Sequence, residues 1–246
     1  MKDLSGKIAL ITGGAKGIGA ACAKVFADNG LKGLVLVDLD EVKGKALAAE
    51  LSNICECIFI KADVSSEQEV ADIFSETKRV FGRLDILLNV AGISSTKTLF
   101  EVDMKSWDRM MDINLKGTFL FGREALKVMM NQKYGRIVSI SSISGQVGGI
   151  RTSPAYAASK AGIICLTKSM AKVAAKDNVT VNAIAPGLVD TEMTQDPDFH
   201  YSVDEVPMGR VARPEEIADV ALLLSSDLSG YVTGQCISVN GGMYMG

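Results

Sequence analysis

The sequence predicts an α/β domain, a doubly wound seven-stranded parallel sheet with helices on both faces. Three observations carry that expectation. Short Val- and Ile-rich runs alternate with longer amphipathic stretches, the pattern of βαβ units whose strands are buried on both sides. The alternation fills all 246 residues without a break in composition, so one domain spanning 1–246 is expected. The first apolar run feeds a glycine-rich turn that opens into a helix, the arrangement of a phosphate-binding βα junction.

The seven strand candidates are KIALIT (7–12), GLVLVD (33–38), CIFIKA (57–62), LDILLNV (84–90), RIVSIS (136–141), VTVNAIA (179–185) and CISVN (236–240). Each is a run of four to eight residues rich in β-formers and bounded by polar or glycine-containing turns. Helical patterns fall between them near 17–29, 41–52, 66–81, 106–132, 154–176 and 214–225. The one long irregular segment, 186–214, exceeds an ordinary connection and is read as a substrate-binding loop region.

Composition excludes several classes. With 48% hydrophobic and 22% charged residues and a net charge of -3, nothing basic clusters on one segment, which argues against a nucleic-acid partner. The apolar run at the N-terminus is too short for a signal core or a membrane span, so a soluble, cytoplasmic protein is expected. Five scattered cysteines (Cys22, Cys55, Cys57, Cys165, Cys236) lack metal-knuckle spacing and read as reduced thiols; no metal is expected. The single histidine, His200, lies in the polar stretch QDPDFHYS and leaves a Ser/His/Asp triad unsupported.

The turn after the first strand is TGGAKGIG (12–19). Gly13, Gly17 and Gly19 let the backbone turn tightly and approach a pyrophosphate, whose charge the helix N-terminus favours; Lys16 and Ile18 complete the loop. Asp38 ends the second strand about twenty residues past the glycines, where a carboxylate accepts hydrogen bonds from an adenosine ribose. Asp63 and Val64, in ADV at the end of the third strand, are placed for the adenine amino group. At the carboxyl ends of successive parallel strands these residues outline one dinucleotide crevice, and the expected fold is a single-domain Rossmann fold.

The same sheet edge carries NVAG (89–92), SISS (139–142) and APG (185–187). Beyond it, TSPAYAASKAG (152–162) sets Tyr156 one turn ahead of Lys160, on one helix face. Pro154 after Ser153 marks the first turn of that helix and fixes where Tyr156 points. A phenol works as an acid/base group near neutrality only when its anion is stabilised; lowering its pKa by 2 to 3 units takes roughly 3 to 4 kcal/mol. An ammonium held nearby supplies stabilisation of that kind.

Taken together, TGxxxGxG at 12–19, NVAG at 89–92, Ser142, YxxxK at 156–160 and PG at 186–187 resemble the short-chain dehydrogenase/reductase family over essentially the whole chain. The ending VNGGMYM (239–245) is similar to the 3-oxoacyl-acyl carrier protein reductases within it. The resemblance implies hydride transfer between a nicotinamide cofactor and a carbonyl or secondary alcohol. It implies Tyr156 as acid/base, Lys160 on the phenol and the nicotinamide ribose, Ser142 on the substrate oxygen and Asn114 holding a proton-relay water. It further implies that Asn89, Ala91 and Gly92 line the cofactor, that Pro186, Gly187, Val189 and Thr191 clasp its carboxamide side, and that the protein is a homotetramer.

Two departures bear on the substrate. Val90 stands where the family usually has a second asparagine, and the segment after PGLVDTEM carries Asp196, Asp198, Asp204 and Glu205. An acidic carrier protein would be repelled there unless Lys133, Arg136, Lys172 or Lys176 form a patch. Acyl carrier protein is thus one expected partner, and a small secondary alcohol, polyol, steroid or other ketone is the alternative substrate. A dinucleotide sensor without turnover is the remote third. Asp38 sits where a ribose 2'-phosphate would have to go, and at about 4 Å such repulsion is worth roughly 4 kcal/mol; NAD(H) is therefore expected over NADP(H) despite Lys16.

Overall fold

The computed structural model describes residues 4–149, 151–195 and 202–246. Its single sheet holds seven parallel strands: β1 (Ile8–Thr12), β2 (Gly33–Asp38), β3 (Glu56–Lys61), β4 (Ile86–Asn89), β5 (Gly135–Ile140), β6 (Val179–Pro186) and β7 (Cys236–Val239). Their spatial order is β3-β2-β1-β4-β5-β6-β7. The order reverses between β1 and β4, and in an open parallel sheet a crevice forms at that switch point, outside the carboxyl ends of the strands. Register aligns those ends, pairing Thr12 with Asn89 and Asn89 with Ser139.

Strand alternation divides the core into two layers. Ala9, Ile11, Leu34, Leu36, Ile86 and Leu88 pack with Phe26, Ile217 and Leu224. These partners belong to α1 (Gly17–Asp28) and α8 (Pro214–Ser225). Leu10, Val35, Val37, Leu87 and Ile137 pack on the opposite face with Ile73, Phe121 and Met170. Their partners are α3 (Glu67–Phe81), α5 (Gly117–Gln132) and α7 (Pro154–Ala174). Apart from their carboxyl-terminal residues Thr12, Asp38 and Asn89, β1, β2 and β4 carry no polar side chain, because a strand covered on both faces has no polar side.

The helices start where side chains can accept orphaned amides. Asp40 accepts from Lys43 N to begin α2 (Glu41–Leu51), Ser66 accepts from Glu69 N to begin α3, and Asp103 accepts from Ser106 N to begin α4 (Met104–Met111). Gly82 closes α3 at φ +72°, a conformation other residues seldom adopt. The expected helix 106–132 is in fact two, α4 and α5, joined by a π-helical turn over Asp112–Lys116. Hydrophobic periodicity cannot report a one-residue widening of the turn, and such turns favour functional sites. A four-residue helix, α6 (Ser144–Val147), follows β5 outside the helical patterns expected from sequence.

The cysteines form no disulfide. Burial pushes the Cys22 thiol far up, and burial followed by the neighbouring Cys55 pushes Cys57 up to about 12, so neither is a thiolate near neutrality. No helix among the described residues is long and apolar enough to cross a membrane. His200, Asp196 and Asp198 lie outside the described residues.

Candidate active site

A crevice of about 790 Å³ opens at the β1/β4 switch point. Gly13, Lys16, Gly17, Ile18, Asp38, Asp63, Val64, Ala91 and Gly92 line it, as do Ser142, Tyr156, Lys160, Pro186, Gly187, Val189 and Thr191. Three expected residues stand behind this wall. Gly19 is buried in α1, Asn89 donates to Ser139 Oγ at 3.1 Å inside the sheet, and Asn114 is fully buried in the π turn.

The glycine turn is shaped by close backbone approach. Gly13 adopts φ +65°, and a Cβ there would lie 2.7 Å from Ala91 N. At Gly19 a Cβ would lie 2.0 Å from the Gly13 carbonyl oxygen. Only glycine allows the first turn of α1 to pack this tightly beneath the loop, the cradle a pyrophosphate needs. Gly19→Ala is accordingly expected to lower Tm by several degrees, since overpacking of this kind costs about 1 to 3 kcal/mol, and to weaken dinucleotide binding about tenfold or more. Thermal unfolding and a fluorescence titration with NADPH check both; unchanged binding would free Gly19 of any role in the cradle.

Where β2 and β3 end on the crevice, Asp38 does not present a free carboxylate. Its Oδ2 accepts from Ala15 N and its Oδ1 from Asp40 N, each at 3.0 Å, so it ties the glycine turn to the start of α2. Asp63 is likewise committed: Ser65 N and Oγ donate to Oδ1, and Arg109 Nη1 donates to Oδ2 at 3.1 Å. Burial alone would raise the Asp63 carboxyl, but these Ser65 and Arg109 contacts outweigh it and hold it below its ordinary value.

The opposite end of the crevice is organised from α7. Ser153 occupies the N-cap position without capping through its side chain; its backbone N–H donates instead to Ser95 O at 2.7 Å, and Pro154 supplies the first helical residue. One turn on, the Lys160 ammonium lies 5.7 Å from the centre of the Tyr156 ring and donates to Ile140 O at 2.8 Å. Lys160 is 4% exposed, and burial pulls its pKa down to about 8. Ser142 Oγ accepts from Ser144 N at 3.1 Å, which orients the hydroxyl and leaves its proton to donate.

Asn114 braces this arrangement. Its Oδ1 accepts from Ile93 N at 2.9 Å, and its Nδ2 donates to Ile93 O at 3.0 Å and Ser159 Oγ at 3.1 Å. A Cβ at Gly92 would lie 3.3 Å from Asn114 Oδ1 and 3.4 Å from Lys160 Nζ, so the glycine keeps open the space between the amide and the ammonium. Several residues here escaped sequence reasoning. Ser141 donates to the Lys160 carbonyl at 2.8 Å, Arg109 holds Asp63, and Glu192 meets Lys16 across the crevice mouth. Only SISS hinted at any of them. Arg136, one of four residues that could have formed a basic patch, is buried, bonded to the carbonyls of Gly135 and Asn178 and to Asp227.

The family model described as enoyl-(acyl carrier protein) reductase matches residues 13–244. The 3-oxoacyl-[acyl-carrier-protein] reductase FabG of Aquifex aeolicus is 38% identical over 247 residues, covering 98% of each chain. The 3-oxoacyl-[acyl-carrier-protein] reductase of Synechocystis is 37% identical over 247 residues, covering 100% of each. Among solved structures, a short-chain type dehydrogenase/reductase from Mycobacterium marinum has a TM-score of 0.94 at 31% identity, over 100% of this chain and 98% of that one.

These relatives correct one expectation. FabG reductases are NADPH-dependent, so the preference for NAD(H) over NADP(H) read from Asp38 does not stand. The physical reason lies in the hydrogen bonds above. The NAD(H) expectation takes the Asp38 carboxylate as directed at the ribose, whereas its two oxygens are turned onto the Ala15 and Asp40 amides, which fix its orientation without removing its charge.

Proposed function

The chain belongs to the short-chain dehydrogenase/reductase family of NAD(P)-dependent oxidoreductases, and on that premise we propose that it reduces the 3-oxo group of an acyl thioester borne by acyl carrier protein. One observation carries the reading. Ser142, Tyr156 and the buried Lys160 share a single crevice with the glycine cradle, in a chain similar over its whole length to 3-oxoacyl-[acyl-carrier-protein] reductases.

Bound nicotinamide supplies the hydride that the substrate carbon receives. The protein's own groups do the rest. Ser142 donates to the substrate oxygen and polarises the carbonyl, Tyr156 delivers the proton that oxygen needs once it carries charge, and the Lys160 ammonium stabilises the phenolate left behind. Lys160 also holds the nicotinamide ribose. Asn114, its side chain spent on Ile93 and Ser159, has a backbone carbonyl in the π turn that accepts from Thr118 Oγ1 and whose second lone pair would hold a relay water. The glycines with Lys16 and Ile18 cradle the pyrophosphate, while Asp38, Asp63, Val64, Asn89, Ala91 and Gly92 shape the adenosine and nicotinamide seats. Pro186, Gly187, Val189 and Thr191 clasp the carboxamide side, and 186–214 forms the substrate-binding loop region.

We place this chemistry in a cytoplasmic homotetramer. A shallow apolar groove where Met111, Leu115 and Phe119 face Cys165 and Leu166 of α7 supports association, because a second copy would cover apolar side chains that this chain leaves partly exposed. Light scattering that finds only monomer would overturn the assembly. The acidic Asp204 favours the second reading, a small ketone or polyol substrate with no carrier protein, while Glu205 is already paired with Arg151. Steady-state rates with NADPH on acetoacetyl thioesters, cyclic ketones and, in reverse, polyols separate the two. The highest kcat/KM is expected on the thioester, and a higher value on a ketone or polyol would reject it. Binding of dinucleotide with no turnover on any substrate would point to a sensor.

A further inference from the structure

At the adenosine end of the crevice, two elements far apart in sequence reach for one carboxylate. Lys16, in the glycine turn, places Nζ 3.0 Å from Glu192 Oε2, and Lys43, on the first turn of α2, pairs with Glu192 Oε1. Glu192 lies just past PGLVDT on the segment that follows β6, and both it and Lys16 line the crevice beside Asp38. The three side chains are about half exposed, at 50%, 46% and 53% for Lys16, Lys43 and Glu192. Exposed pairs of this kind contribute little to stability, so the contact is not needed to hold the fold together. It does fill the space between two ammonium groups with an anion.

We propose that Glu192 is a specificity-determining residue: its carboxylate occupies the place between Lys16 and Lys43 that a ribose phosphate takes, and a phosphorylated dinucleotide binds by displacing it. The inference rests on the dinucleotide reading of the crevice. Asp38 ends β2 and is pinned by the Ala15 and Asp40 amides; on the dinucleotide reading the ribose edge falls beside that carboxylate, within reach of the two lysines. A phosphate monoester carries more charge than a carboxylate and more acceptor oxygens, so it can take over both lysines. Part of its binding free energy is nevertheless spent in ejecting Glu192. A dinucleotide with free ribose hydroxyls brings no second anion to this place and leaves Glu192 where it is.

The test is a calorimetric titration of wild type and Glu192→Gln with NADPH and with NADH at low and high salt. Glu192→Gln is expected to bind NADPH about tenfold tighter with NADH unchanged within about twofold, because the amide keeps the shape and removes the competing charge. The gain should shrink at high salt, where exposed charges are screened, and shrink again when Lys43→Met is added, since Glu192 then competes for Lys16 alone. An unchanged ratio of NADPH to NADH affinity overturns the proposal. Parallel weakening of both also overturns it, since it would make Glu192 a clamp on the segment after β6 rather than a competitor. If neither dinucleotide binds wild type, the dinucleotide crevice itself fails and this inference with it.

Discussion

Tyr156→Phe is expected to lower kcat by about a thousandfold while leaving the NADPH dissociation constant within about threefold of wild type. The substitution removes one oxygen. The ring still fills its place on α7, and the Lys160 ammonium, which donates to Ile140 O, keeps its position. What is lost is the group that transfers a proton to the substrate oxygen, and general acid/base groups contribute about a hundredfold to ten-thousandfold. Because that contribution exists only at the transition state, kcat and kcat/KM should fall together. Single-turnover kinetics beside a binding titration separate the two effects. Retention of more than about a tenth of wild-type kcat would remove Tyr156 from the proton transfer.

Lys160→Met should have the second largest effect, and it should act in two opposite directions. Activity is expected to fall about a thousandfold and NADPH binding about tenfold, since the ammonium serves both phenol and ribose. Stability should move the other way. Burial lowers the Lys160 pKa from 10.5 to about 8. The unfolded chain therefore holds this proton over a pH range where the folded chain has released it. Between about pH 8 and 10.5 the unfolded state binds more protons, so this residue makes the fold more stable as pH rises through that window. Below it, the folded state bears a constant penalty of about 3 kcal/mol for keeping the charge buried.

Methionine escapes that penalty, less about 1 kcal/mol or more for the hydrogen bond lost at Ile140 O. The variant should melt at least as high as wild type near neutrality, and the stability difference between the two should close as pH rises from 8 to 10.5. In wild type, kcat/KM should decline above pH 8 as the free enzyme loses the ammonium. Denaturation across pH, with NADPH titration of the same samples, checks each part. Normal cofactor affinity in the variant would confine Lys160 to the phenol, and a constant stability difference across the window would mean that the lysine is not buried as a charge.

The architecture was legible because strand burial leaves a local trace. GLVLVD is apolar at almost every position because β2 is covered on both faces, and its observed span, Gly33–Asp38, is the expected one. The starts of α2 and α3, expected at 41 and 66, fall at Glu41 and Glu67 behind Asp40 and Ser66, whereas Asp103 starts α4 at Met104, ahead of the expected 106. Tyr156 and Lys160 were legible as a pair for a similar reason, since a spacing of four on one helix places two side chains on the same face whatever surrounds them.

Other features depend on groups distant in sequence, and no local pattern encodes them. The π turn at Asp112–Lys116 goes with an Asn114 side chain that meets Ile93 and Ser159 from other elements. Asp38 reads in sequence as a free carboxylate because Ala15, whose amide it accepts, lies 23 residues away. Arg136 reads as a surface cation until Asp227 and the Asn178 carbonyl close around it. By itself the sequence determined the elements, their order and the chemical types brought to the sheet edge, because these follow from spacing and burial along the chain. Only the tertiary structure decided which charges are already spent, since a charge's effect is set by its neighbours in space and by the water they exclude.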